Sequence, residues 1–452
     1  MDLVIKNGIL VTHEKTYNGV GIGIKDGKIV QIAKDEELGP AKKVIDANMN
    51  HILPGIIDAH VHFREPGMSY KEDYYTGSMA AVYGGVTCIL DMPNTDPPLD
   101  SLEELVAKEK LINNRSFVDY GLIGLVTESN INKIQELKKA GVVGYKCFIG
   151  QSEQGRACPL PLNDGLLLES LEEVSATGLR YAFHAENHEI LLHKINKLKE
   201  NNVNGWEAHL LARPIVSEVE SIQRVALYAQ TTKTKIHICH ISSYQGMNMV
   251  NQWSERGVDI TCETGAQYCF LSVEDMESIG GVMKVNPPIR EKIHNNKLLS
   301  GLCEGKIQMI ASDHAPHSIK EKVNNSNNIW EVNAGMIGVE TTSRLFLSEA
   351  VNKGQMSINQ FVYLTSYMPS LIWNINHQKG EIKLDYDADI IIVDLNREWT
   401  ILNEELHSKN NITAFHEKKG TGIPVTTIVR GRVIVENGKL IGPPSGKRVT
   451  PV

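Results

Sequence analysis

The sequence predicts an α/β barrel of eight parallel strands, carrying a small β-domain assembled from both ends of the chain. Three observations predict it: eight apolar strand-like runs through the middle, helix-period segments between most of them, and short alternating strands at the two ends. Repeated strand–helix alternation implies parallel strands joined by crossover helices, and eight such strands close a barrel. A doubly wound open sheet is the competing arrangement, but no GxGxxG opens a helix after the first strand.

Taken in order, the first fifty or so residues hold VIKNGILVT, GVGIGIK and KIVQIAK, which alternate in the manner of strands and break at Asn7-Gly8 and Asp26-Gly27. The eight central runs are 56–62, 87–94, 118–126, 141–149, 179–187, 235–242, 259–265 and 307–317. SLEELVAKEKLINN and NINKIQELKKAG have helical spacing, and Ala140-Gly141 makes a helix stop for the second. The end of the chain returns to strands with ADIIIVDL and TTIVRGRVIVENGKLI, where Asn437-Gly438 reads as a hairpin turn. The expected division is residues 1–52 and 376–452 for the β-domain and 53–375 for the barrel.

Composition narrows the function classes. The 452 residues carry a net charge of −8, with 42% apolar and 22% charged residues. Those proportions are ordinary for a globular protein. The charge argues against nucleic acid or an anionic membrane as partner, while leaving room for a locally basic site. No run approaches the roughly 18 apolar residues of a membrane span, and MDLVIKNGIL lacks the pattern of a signal peptide, so a cytoplasmic location is expected. The seven cysteines are odd in number and lie mostly in strand-like runs, which favours reduced, buried thiols over a disulfide frame.

In such a barrel the chemistry sits at the C-terminal strand ends. Polar residues fall there at a cost, since a buried polar group without a partner costs about 1–3 kcal/mol. His60 and His62 end the first run, His184 the fifth, His240 the sixth and Asp313 the eighth, with Lys146 on the fourth. His60 and His62 are two apart and share a strand face, so both imidazoles can reach one cation. A lone buried histidine is more often a hydrogen-bonded core residue; the further His and Asp at matching strand ends favour a metal site. His237 lies three residues before His240 on the other face, where a structural role is expected. Lys146 reads either as one half of a buried ion pair or as part of the site.

These residues resemble the cyclic amidohydrolases, the group of dihydroorotases, allantoinases and hydantoinases within the amidohydrolase superfamily. The resemblance runs from PGIIDAHVHFREPG through GYKCF, HAEN, HICHISS, NPPIR and SDHAPH to ADIIIVDL. It implies a TIM-like (β/α)8 barrel with a composite β-sandwich domain from both termini, and two divalent metal ions, taken as zinc. His60, His62 and Asp313 would bind one ion, His184 and His240 the other, and Lys146, carboxylated by CO2, would bridge them. A bridging hydroxide would attack the substrate, with Asp313 acting as base and then acid. The implied partner is a small cyclic amide, and the implied assembly a homodimer or homotetramer.

The motifs point to more than one ring. FREPG, MPNT and SDHAPH resemble dihydroorotases, in which Arg64, Asn94 and His317 would meet a substrate carboxylate; the fork of Arg64 suits that contact. On this basis dihydroorotase is the leading expectation. YKCF resembles allantoinases, ETGAQY has Ala266 where the related pattern has proline, and WEVNAGMIGVE is closer to allantoinase or hydantoinase loops. Arg64 could instead pair with Glu65, Glu72 or Asp73, and Asn286 is either a backbone cap or a substrate contact. A metal-free scaffold is the reading of a different class, opposed by the filled ligand positions. The polar segment HSIKEKVNNSNNIW, which starts at His317 and lies within 317–335, has the position of a lid.

Overall fold

Residues 1–150, 160–323 and 328–452 are described by the computed structural model of the chain. Eight strands form one sheet in strict sequence order. They are Ile56–Val61, Val86–Asp91, Asp119–Leu125, Gly144–Phe148, Arg180–His184, Ile236–Ile238, Ile260–Thr264 and Met309–Ile310. Every neighbouring pair is parallel. The ring closes where the chain beyond the eighth strand reaches the first: Val61 bridges His314, and the His62 amide donates to the His314 carbonyl at 2.8 Å. The (β/α)8 barrel expected from the alternation is therefore present.

The strands stop earlier than their apolar runs suggest, most of all in the eighth, where 307–317 yields only Met309–Ile310. The polar tails leave β geometry in order to aim side chains. Arg64, His240 and Asp313 have φ of 62°, 37° and 49°. Residues other than glycine and asparagine adopt that region at a cost.

The crossover helices begin on sequence-encoded caps. Asp73 accepts from the Thr76 amide ahead of Tyr74–Tyr83, and Ser101 accepts from the Glu104 amide ahead of Leu102–Ile112. NINKIQELKKAG gives a 3-10 turn, Ile131–Lys133, then the helix Ile134–Lys139. The helix stops at Gly141, whose φ of 83° turns the chain out of the helical path. Among the described residues no helix is long and apolar enough to cross a membrane. Cys88, Cys147, Cys239, Cys262 and Cys269 are buried free thiols and Cys303 is partly buried; Cys158 lies outside the described residues.

Two further sheets make the β-domain. One has four strands, all from the N-terminal end: Leu3–Lys6, Val20–Lys25, Lys28–Lys34 and Lys43–Asp46. The other joins both ends of the chain, because His51–Pro54 pairs antiparallel with Ile390–Val393 of the long strand Ile390–Thr400. Ile5, Ile22, Ile24 and Ile52 pack with Ile390, Ile392 and Ile428 in one apolar cluster. The turns follow their Asn-Gly and Asp-Gly signals: both residues of Asp26-Gly27 and of Asn437-Gly438 have positive φ, as the tightest hairpin turn requires.

Below the barrel, Lys379 is held by three carboxylates. It contacts Asp119, at the start of the third barrel strand, with Asp387 at 2.9 Å and Asp389 at 2.6 Å, and Arg430 adds a 2.6 Å contact to Asp119. Burial opposes the charge on Lys379, but the three aspartates hold its pKa well above the usual lysine value. Removing one partner of a buried ion cluster leaves uncompensated charge. Lys379→Met is therefore expected to lower unfolding free energy by about 3–5 kcal/mol in urea titrations; an unchanged midpoint would show that the cluster does not clamp the two parts together.

Candidate functional site

The strand ends bring two groups of side chains together. His60, His62 and Asp313 form one, with their ligand atoms all within 4.8 Å of one another. His60 Nε2 and His62 Nε2 lie 3.4 and 3.3 Å from the same Asp313 Oδ1. His184 and His240 form the other, with His184 Nδ1 3.0 Å from His240 Nε2. The groups adjoin: the His60 and His240 rings are 5.4 Å apart between centroids. Lys146, fully buried, donates from Nζ to Cys239 Sγ at 2.8 Å, and its charge acts on His60, His184 and His240.

Partners on the far side of each ring decide which nitrogen carries the proton. His60 Nδ1 donates to Glu263 Oε1, and His62 Nδ1 donates to Asn94 Oδ1 at 2.7 Å. His184 Nε2 donates to Glu186 Oε2 at 2.8 Å, and Arg213 donates to the same oxygen. Both Nε2 lone pairs of the first group therefore face a carboxylate oxygen. Lone pairs would confront each other there unless a proton or a metal cation stands between them.

The electrostatics agree. Burial, with Arg64 and His60 adding to it, outweighs the pull of Asp313 and lowers the His62 pKa to about 4. Burial also lowers His184, and it lowers His240 strongly together with the neighbouring His184 and Lys146. Neutral imidazole is the form that binds metal. At His60 burial pulls the same way, but the Glu263 and Asp313 carboxylates hold the ring up to about 10. Burial would raise Asp313 and Glu263 too, yet the histidines beside them keep both well below the usual carboxylate range. Without a metal, a proton on His60 is the positive charge that these carboxylates demand. Imidazoles and a carboxylate are a donor set suited to zinc and similar divalent ions, and the residues present fit such a group.

The expected substrate contacts divide. Arg64 is buried; its Nε donates to the Pro316 carbonyl at 3.2 Å, and its terminal nitrogen lies 3.4 Å from His317 Nε2. Glu65, Glu72 and Asp73, considered as its ion-pair partners, contact Arg115, His314 and Lys409 respectively. Asn94 spends its carbonyl oxygen on His62, which makes it a support for that ring. His317 uses both nitrogens on the protein: Nε2 donates to the Ala334 carbonyl at 2.9 Å, and Nδ1 accepts from Lys71 Nζ at 3.0 Å. Asn286 presents a buried Oδ1 with no hydrogen-bond partner among the described residues.

Residues 324–327, the middle of the segment read as a lid, lie outside the described residues. On either side the chain is tied down, with the Asn333 amide donating to the Glu321 carbonyl at 3.0 Å and the Ile329 amide to the Asn204 carbonyl at 2.9 Å.

Sequence reasoning missed the carboxylates behind the histidines. Glu263 accepts from His60, from His237 Nε2 at 3.1 Å and from the His240 amide at 3.3 Å, so the structural role expected of His237 is to hold Glu263. The signal was present as an acidic residue inside the apolar run ITCETG, and again as Glu186 in HAEN. Glu263→Gln removes the charge shared by two rings. It is expected to weaken zinc binding about 10–100-fold, read by competition with a chelator; an unchanged affinity would deny Glu263 this part.

A model described as "Amidohydrolase family" matches residues 51–434. The chain is similar to an allantoinase of Desulfitobacterium hafniense, at 35% identity covering 100% of this chain and 99% of that relative. It is similar to a dihydroorotase of Methanosarcina acetivorans, at 34% identity covering 96% of this chain and 92% of that relative. Among solved structures, an L-hydantoinase (dihydropyrimidinase) from Arthrobacter aurescens superposes with a TM-score of 0.96 at 31% identity, covering 99% of both chains.

Proposed function

The chain belongs to the amidohydrolase family and is a cyclic amidohydrolase, and from that premise we propose that it opens a cyclic ureide of the allantoin–hydantoin kind by hydrolysing a ring C–N bond. In this reading residues 53–375 form the catalytic barrel, and 1–52 with 376–452 its β-domain. The carrying observation for the chemistry is the convergence of His60 Nε2 and His62 Nε2 on the same Asp313 Oδ1. For the ring, it is the engagement of both His317 nitrogens by the protein, which leaves that side chain without a donor for a substrate carboxylate.

His60, His62 and Asp313 would hold one divalent ion, taken as zinc, and His184 and His240 a second. Addition of CO2 to the neutral Lys146 amine, with loss of a proton, would turn that side chain into a two-oxygen anion able to serve both. When bound, the ions supply a water acidified toward neutral pH and a Lewis acid for the scissile carbonyl. Asp313, held ionised by the histidines around it, takes the proton of the attacking water and delivers it to the departing ring nitrogen. Asn286 Oδ1, without a hydrogen-bond partner among the described residues, accepts a ring N–H, a donor that allantoin and hydantoin carry. Burial of His60 and His62 keeps bulk water away from the reacting carbonyl.

The second reading is dihydroorotase, favoured by Arg64, a buried guanidinium two residues beyond His62. A panel of allantoin, hydantoin, dihydrouracil and dihydroorotate on one zinc-loaded preparation separates the two. Allantoin or hydantoin is expected to be turned over best, with Arg64→Ala losing less than threefold on it. Dominant turnover of dihydroorotate would overturn this. Arg64→Ala would then lose about 1.5–3 kcal/mol, roughly 10- to 150-fold in kcat/KM, the worth of a hydrogen bond to a charged group.

A further inference from the structure

The two positions of the site are built unequally. His60, His62 and Asp313 give the first three protein donors, and both rings are fixed from behind, by Glu263 and by Asn94. The second has two protein donors, His184 and His240. His240 Nδ1 is buried with no hydrogen-bond partner among the described residues, so nothing described behind that ring selects its tautomer. Its backbone is held at φ of 37°. Asp313 of the first position is held comparably, at φ of 49°, so backbone strain is common to both and the missing ring support is what sets His240 apart.

The His240 amide donates to Glu263 at 3.3 Å, which holds its backbone and not its ring, so among the described residues the ring support of the second position comes through His184. Glu186 is fully buried and accepts from His184 Nε2 at 2.8 Å. This bond places the proton on Nε2 and leaves the Nδ1 lone pair facing His240. Glu186 is itself fixed by Arg213, which is buried as well. Arg290 in turn donates to the Arg213 carbonyl at 2.6 Å and to Ser242 Oγ at 3.2 Å. Ser242 and Ser243 both donate to Glu218, Ser242 Oγ at 3.0 Å. The result is a chain of charge-assisted bonds ending on one imidazole, with no counterpart behind His240 among the described residues.

We propose that the His184–His240 position is the weaker of the two metal positions, and that Glu186 is the positioning residue on which its retention depends. This rests on the binuclear reading above. If CO2 adds to Lys146, the bridge serves both ions alike and leaves the inequality of the remaining ligands in place. Charge and hydrogen bonding behind a metal-binding histidine typically change affinity about 10–100-fold, and Glu186 supplies both for the second position alone.

The test is a titration of the metal-free full chain with Co2+, followed by visible absorption and by elemental analysis after dialysis against a graded chelator. Wild type is expected to bind two ions per chain and to release one of them at least tenfold more readily. Glu186→Gln, nearly the same in shape, and Glu186→Ala are expected to keep one ion at the wild-type affinity and to bind the second about 10–100-fold more weakly. Circular dichroism establishes that each variant is folded; should the alanine variant fail, the glutamine variant decides. Two ions of equal affinity in wild type, or Glu186 variants that keep both or lose both together, would overturn the proposal. Wild type binding fewer than two ions with CO2 supplied would instead sink the binuclear reading itself, a different outcome from a Glu186 effect.

Discussion

The site depends on the seam that closes the barrel. His60 and His62 are distant from Asp313 along the chain, and only the meeting of the first strand with the segment after the eighth makes them neighbours. That meeting is made by backbone amides on one carbonyl and one side chain: the His62 amide on the His314 carbonyl at 2.8 Å, and the Ser312 amide on the Asp58 carboxylate at 3.1 Å. The His60 amide reaches the same Asp58 oxygen at 3.3 Å, so one buried carboxylate ties together the two segments that carry the first ligand group. Seam hydrogen bonds are shielded from water, which makes them costly to leave unmade and so fixes the register of the ring. A slip of one residue there would turn His60 and His62 to the opposite face.

From that seam the remaining histidines follow in order around the ring. The fifth, sixth and seventh strands are parallel and in register, with Tyr181 against Ile236 and Ile236 against Ile260. This places the ends of these strands, with His184, His240 and Glu263, at one level beside His60. Glu263 then does for two strands what Asp58 does at the seam, accepting from His60 on the first and His237 on the sixth. The buried charges are thus both structure and chemistry. Each carboxylate that is expensive to bury here is matched by an imidazole or an amide, and the surplus of negative charge around His60 is what calls for a cation.

Much of the fold was legible because its signals are local or periodic. Apolar runs, capping residues such as Ser101, and the Asn-Gly and Asp-Gly turns each act within a few residues, and the barrel follows from repeating them. The candidate site was legible only as far as side-chain type reveals it. His60, His62, His184, His240 and Asp313 stand out because they are polar where apolar residues are cheap. Glu186 and Glu263 stand out for the same reason, yet were missed because motif reading looks for ligands and passes over the groups that orient them. Strand ends were overestimated for a related cause: SDHAPH and HIS continue the apolar runs in sequence, while Asp313 and His240 leave β geometry to turn their side chains inward.

Substrate choice is less legible because it depends on how polar side chains are shared out. Asn94 and His317 are chemically able to meet a carboxylate. In the folded chain Asn94 gives its oxygen to His62, and His317 lies between Lys71 and the Ala334 carbonyl. With both ring nitrogens engaged by the scaffold, His317 cannot serve the substrate as well. Arg64 has more donors to share, because a guanidinium carries several N–H groups in a planar fork. Its Nε is spent on the Pro316 carbonyl, at 3.2 Å, and a terminal nitrogen lies 3.4 Å from His317 Nε2. What separates an anionic ring from a neutral one is therefore the hydrogen-bonding capacity left over after the barrel has satisfied itself, and that remainder is set by contacts between segments far apart in the chain.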